Sequence, residues 1–205
     1  MSEQETSRRE LLKNIGISLS LAGTRSGVLP LEAAQHVHQA AASEKAAHHG
    51  VYKPKCFTAP EYKTLERLAD RIIPADGKSK GALDAGAAEF IDLLASQNGE
   101  LAQIFTGGLA WLDRRMKQEH GAAFVDARPE QQTAMLDRIA YTANDSPELG
   151  PGIRFFEWAR NLVVDAYYTS KVGMDDLGFM GNGAMAKFSV PAEAIAYAVK
   201  RSGLK

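Results

Sequence analysis

A chain of 205 residues, 45% hydrophobic and 24% charged, has enough apolar content for one globular domain with its own core plus a leader or tail. The formal net charge of -1 offers no basic field to a nucleic acid, and no uninterrupted apolar run reaches the roughly 18 residues of a membrane-spanning helix. Cys56 is the only cysteine, which excludes an intramolecular disulfide and any zinc or iron–sulfur site built on several thiolates. Pairing with another chain and a free, part-buried thiol are the two roles left to it.

The chain opens with an address. Ser7, Arg8, Arg9, Glu10, Leu11, Leu12 and Lys13 resemble a twin-arginine export motif, and a weakly apolar stretch from Ile15 to Ala22 follows. Residues 1–31 are therefore set aside as a leader. Ala40-Ala41-Ala42 fits a small-x-small cleavage rule but lies far downstream, and retention of the leader is the alternative. Residues 32–55 are rich in Ala, Gln, His and Lys and are predicted to be a flexible linker with little core-forming power. His36, His38, His48 and His49 fall there, without a carboxylate or thiol framework to complete a metal site.

From Cys56 to residue 205 the period is helical, so the expected fold is all-α: a compact bundle of five to six helices. The Thr58-Ala59-Pro60-Glu61 capping box opens the first, with Tyr62, Leu65, Ala69 and Ile72 on one face and Pro74 as its stop. Pro74 to Gly81 reads as a loop, and a second helix is expected from Asp84 with Phe90, Ile91 and Leu94 inward. A third is expected over about Glu100–His120. Gly107-Gly108 in its middle costs about 1 kcal/mol per glycine against alanine, which predicts close approach of another backbone or a kink. Arg128-Pro129-Glu130 opens a fourth, Asn144 to Pro151 reads as a loop, and the most apolar helix spans about Gly152 to Thr169. A short helix is expected after Pro191.

No catalytic constellation emerges. There is no dinucleotide fingerprint, no G-x-S-x-G elbow and no H-E-x-x-H. His120, at a helix C-terminus before Gly121, fits a structural role through the helix dipole. The segment after the fifth helix, from Tyr167 to Gly183, is predicted to be a long irregular loop. Its candidate partner-contact residues are Tyr167, Tyr168, Gly173, Asp176, Leu177, Gly178, Phe179, Gly181 and Asn182. So apolar a segment must pack on its own bundle, bury in a partner, or both, and its aromatic and methionine content is that of interface centres.

Leu68 to Asp76, Gly81 to Asp92, and Tyr167-Tyr168-Thr169-Ser170 through Asp176 to Asn182 resemble, in that order and spacing, the gluconate 2-dehydrogenase subunit 3 family, over roughly residues 56–183. The resemblance implies a small, non-catalytic subunit of a membrane-associated sugar, sugar-acid or alcohol dehydrogenase. No cofactor is then expected in this chain. The implied partners are a large flavoprotein of the glucose–methanol–choline oxidoreductase type carrying FAD, a multihaem cytochrome c and the twin-arginine translocase. The implied place is the periplasm or the periplasmic face of the inner membrane. The implied role is to assist assembly and twin-arginine export of the folded catalytic subunit. A stand-alone exported binding or redox module holding a metal or haem is the competing expectation.

Overall fold

The computed structural model describes residues 29–179 and 190–202, and among these every regular element is helical. In chain order they are α1 (Leu31–Ala47), α2 (Ala59–Ile72), α3 (Ala87–Gln97), α4 (Gly99–His120), α5 (Pro129–Ile139), α6 (Gly150–Thr169), α7 (Lys171–Asp176) and α8 (Ala192–Ser202). Single 3-10 turns at Phe124–Asp126 and Thr142–Asn144 join α4 to α5 and α5 to α6. None of these helices is long and apolar enough to cross a membrane.

Local chemistry sets most of the boundaries. Glu61 accepts the Thr58 N–H at 2.9 Å, the Asn98 side chain accepts the Leu101 N–H at 2.9 Å, and Gln131 accepts the Arg128 N–H at 3.0 Å. Gly121 closes α4 in the left-handed region at φ 74°. The second predicted helix starts three residues later than expected. Asp84 instead closes a turn by accepting the Gly81 N–H at 2.9 Å, and Gly86, at φ 72°, breaks the helical path just before Ala87.

The core is built around α3, which is buried on all sides from Ala87 to Ala95. It packs against α1, α2, α4 and α6, while α4 and α6 form the main antiparallel pair and α5 caps α6. Phe90, Ile91, Leu94, Phe105, Leu109, Leu112, Met116 and Leu162 fill the centre. The two polar residues that α3 carries inside are both partnered. Glu89 pairs with Lys45, and Asp92 accepts four hydrogen bonds from residues 52–57.

Two expectations are corrected. Residues 32–55 are not a featureless linker: most of the segment is α1, whose Ala34, Val37 and Ala41 are buried. Its apolar side is made of small residues, so it gains burial by close approach rather than by bulk. The segment after α6 is not irregular as far as Phe179 either, because it continues at once into α7; residues 180–183 of the predicted loop lie outside the described residues.

Candidate functional site

The corner between α6 and α7 is specified atom by atom. Ser170 leaves the helical path at φ -80°, ψ 161°, and its hydroxyl donates to the Tyr167 carbonyl at 2.7 Å. The same oxygen accepts the Gly173 N–H at 3.1 Å, capping α7. A Cβ at Gly173 would lie 2.1 Å from the Tyr167 carbonyl oxygen, so only glycine lets the two helices meet this closely. At the far end Gly178, at φ 62°, closes a Schellman motif: its N–H donates to the Asp175 carbonyl at 3.1 Å and the Phe179 N–H to Met174 at 2.9 Å.

The Pro74–Gly81 loop braces this corner. Asp76 accepts the N–H groups of Lys78 at 2.8 Å and Ser79 at 2.6 Å, and these backbone bonds hold its carboxyl below the usual range. The Ser79 hydroxyl then donates to Asp176, and the buried Tyr167 hydroxyl donates to the Lys80 carbonyl at 2.8 Å. Tyr167 also meets Tyr168 edge to face, with ring centroids 5.0 Å apart.

On this fixed frame large apolar side chains face water. Tyr168 is 42% exposed, Leu177 62% and Phe179 54%. Val164, one turn before Tyr168 on α6, is also exposed. Single exposed apolar residues are ordinary, but several carried by one braced corner make it a candidate contact surface.

A second feature lies further along α6. Trp111, Trp158, Ile104, Phe155, Pro151 and Gly107 line a groove of about 310 Å³ between α4 and α6, with Arg154 at its rim. Two glycines place the rings. A Cβ at Gly108 would fall 2.1 Å from Phe155, and one at Gly152 would fall 2.2 Å from Trp111. The close approach expected at Gly107-Gly108 is therefore to an aromatic ring at Gly108, not to a backbone, whereas Gly107 faces open space. Arg154, Asn161 and Tyr168 recur every seven residues and share one side of α6, so groove and corner lie along a common face of that helix.

The buried polar groups form a third set. Asp92 accepts the Tyr52 hydroxyl at 2.8 Å and the N–H groups of Lys55, Cys56 and Phe57 at 2.7, 3.0 and 3.1 Å. Burial and this carboxylate push the Tyr52 phenol up, and burial also raises the half-buried Cys56 thiol. His38 is held to Thr169 Oγ1 at 3.0 Å and leans on Phe90 at 4.9 Å, and burial lowers its basicity. Asp165 accepts the Leu29 N–H at 3.2 Å, and burial raises its carboxyl to about 6. Every buried side-chain polar atom among the described residues has a partner. No three His, Cys, Asp or Glu side chains among them gather as a metal-ligand set.

Of the predicted partner-contact residues, Tyr168, Leu177 and Phe179 are on the exposed corner, while Tyr167 and Gly173 are buried inside it and build it. Asp176 and Gly178 tie and cap α7. Gly181 and Asn182, and the leader residues Ser7, Arg8, Arg9, Leu11, Leu12 and Lys13, lie outside the described residues. His36 and His49 are exposed, and His120 lies in the last turn of α4. The tryptophan groove was missed in the sequence; its only signal was the glycine pair. A family model described as gluconate 2-dehydrogenase subunit 3 matches residues 59–185. No curated protein and no solved structure matches the chain.

Proposed function

The chain belongs to the gluconate 2-dehydrogenase subunit 3 family, an accessory subunit of a dehydrogenase complex, and on that premise we propose that it docks the catalytic flavoprotein through the α6–α7 corner. The partner is a large subunit of the glucose–methanol–choline oxidoreductase type, which carries FAD and oxidises a sugar, sugar acid or related alcohol. This chain adds no catalytic group. It supports assembly, and its Ser7–Lys13 leader takes the folded partner through the twin-arginine translocase to the periplasmic side. A multihaem cytochrome c completes the complex as electron acceptor.

The observation that carries the docking surface is the exposure of Tyr168, Leu177 and Phe179 on a corner fixed by Ser170, Gly173 and Gly178. A rigid surface loses little entropy on binding. Burying a large apolar side chain fully is worth about 1.5–3 kcal/mol, so the three together give roughly 2–5 kcal/mol from their exposed parts. That only matches the low end of the cost of association, about 4–15 kcal/mol. Stable docking therefore needs more contact, and the Trp111, Arg154 and Trp158 groove further along α6 has the residue types that dominate interface energies.

The test is purification of the chain from cells that express the whole complex. A co-purifying flavoprotein supports the reading, and a monomeric chain without one overturns it. Changing Arg8 and Arg9 together to lysine should leave both chain and partner in the cytoplasm; unchanged partner export overturns the escort role.

A further inference from the structure

The residues from Leu29, inside the segment expected to be leader, up to the family match are built into the bundle. Leu29 is only 4% exposed, and its N–H donates to Asp165 on α6. Pro30 then starts α1, with its carbonyl accepting the Ala34 N–H at 3.0 Å. Along α1, Ala34 and Val37 are buried, His38 bonds Thr169 and packs on Phe90, and Lys45 pairs with Glu89 on the central helix. Beside Lys45, Glu44 accepts from Lys55 and ties the end of α1 to the run of residues 52–57 that Asp92 grips. Two of these bonds, Leu29 to Asp165 and His38 to Thr169, join the segment to residues more than a hundred positions away.

Ala40-Ala41-Ala42, the run that fits a small-x-small cleavage rule, sits in the middle of this helix. Ala41 points into the bundle at 7% exposure. Proteases take their substrates as extended, accessible chain, so the sites they reach are set by the burial and hydrogen bonding of the backbone. Cutting here would require α1 to unwind through Val37 and Lys45 and to release His38, Glu89 and the helix hydrogen bonds together.

We propose that α1 is retained in the mature protein: no processing cut falls within residues 29–47, and Ala40–Ala42 is not a leader-cleavage site. The proposal rests on the export reading above only in supposing a leader that could be removed. Its consequence is that the leader joins the body at Leu29, on the same turns of α6 that carry Val164 and Tyr168.

Two measurements on the full chain decide it. The first is the intact mass of the chain recovered from the periplasmic fraction. A chain beginning at or before Leu29 is expected, and a chain beginning within residues 30–47 overturns the proposal. The second applies wherever the chain is found. Elastase, which cuts after small residues, should cleave the native full chain at Ala40–Ala42 at least about 100-fold more slowly than a free peptide of residues 36–47, because cleavage must wait for local opening. Equal rates overturn the proposal. A chain confined to the cytoplasm with Ala40–Ala42 protected sinks export and leaves α1 an integral part of the body.

Discussion

Replacing Asp92 by asparagine keeps the shape of the side chain and removes one acceptor. In the native chain Oδ1 takes the N–H groups of Cys56 and Phe57, and Oδ2 takes the Tyr52 hydroxyl and the Lys55 N–H. An asparagine amide presents one oxygen and one NH2 group. With the NH2 group on the Oδ1 side, the Cys56 and Phe57 N–H groups both face a donor; on the Oδ2 side the Tyr52 hydroxyl can turn to accept from it, and the Lys55 N–H alone faces a donor. A buried donor without an acceptor costs about 1–3 kcal/mol and the bonds that remain lose their charge assistance, so Asp92→Asn should destabilise by about 2–4 kcal/mol. Tyr52→Phe removes one hydrogen bond and leaves the other three in place, for about 1 kcal/mol. At about 2–4 °C per kcal/mol for a chain of this size, the asparagine variant should melt roughly 4–16 °C lower. Urea unfolding followed by far-ultraviolet circular dichroism measures all three proteins. An asparagine variant within 1 kcal/mol of the parent, or a phenylalanine variant equally damaged, would refute the view that this carboxylate staples residues 52–57 to α3.

The glycines give an opposed pair. Gly173→Ala should cost about 2–4 kcal/mol, since its Cβ meets a carbonyl oxygen at 2.1 Å, whereas Gly107→Ala should stabilise the isolated chain by about 0.5–1 kcal/mol because nothing lies within 4 Å; chemical denaturation that ranks them the other way contradicts the packing. Leu177→Asp and Phe179→Asp should each leave the melting temperature within about 2 °C and weaken partner binding at least tenfold, read by titration of the purified subunits. Asp165 has its carboxyl raised by burial from 3.8 to about 6, so its stabilising share is complete below about pH 4 and is lost as pH rises through 6. After discounting for partial solvent access this is about 1 kcal/mol, and Asp165→Asn should remove that slope. Parallel melting curves against pH for the two proteins would refute it.

How much was legible in the sequence depended on how local the cause was. The starts of α2 and α5 were readable because the Thr58–Glu61 box and Pro129 in the first turn are local signals, and Leu101, Phe105, Leu112 and Met116 recur at helical spacing on α4. α1 was not, since Ala34, Val37 and Ala41 carry little hydrophobic signal, and the segment is held through Leu29 on Asp165 and His38 on Phe90 and Thr169, far along the chain. α7 was hidden by its own glycines: Gly173 and Gly178 look like breakers, yet one permits a close helix contact and the other forms the cap. The exposed corner was anticipated as a composition, but which of its residues build it and which face outward depended on tertiary contacts. The tryptophan groove depends on rings and glycines brought together from α4 and α6, and no local pattern contains that pairing.

The central claim, that the α6–α7 corner docks a flavin-bearing dehydrogenase subunit, is tested by one comparison. The full chain and its Leu177→Asp/Phe179→Asp double variant are each purified through an affinity tag from cells expressing the complete complex, and bound flavin is quantified per chain. The parent should bring down about one flavin per chain, and the double variant, still folded by circular dichroism, should bring down almost none. A parent chain free of flavin, or a folded double variant that retains it, would contradict the account.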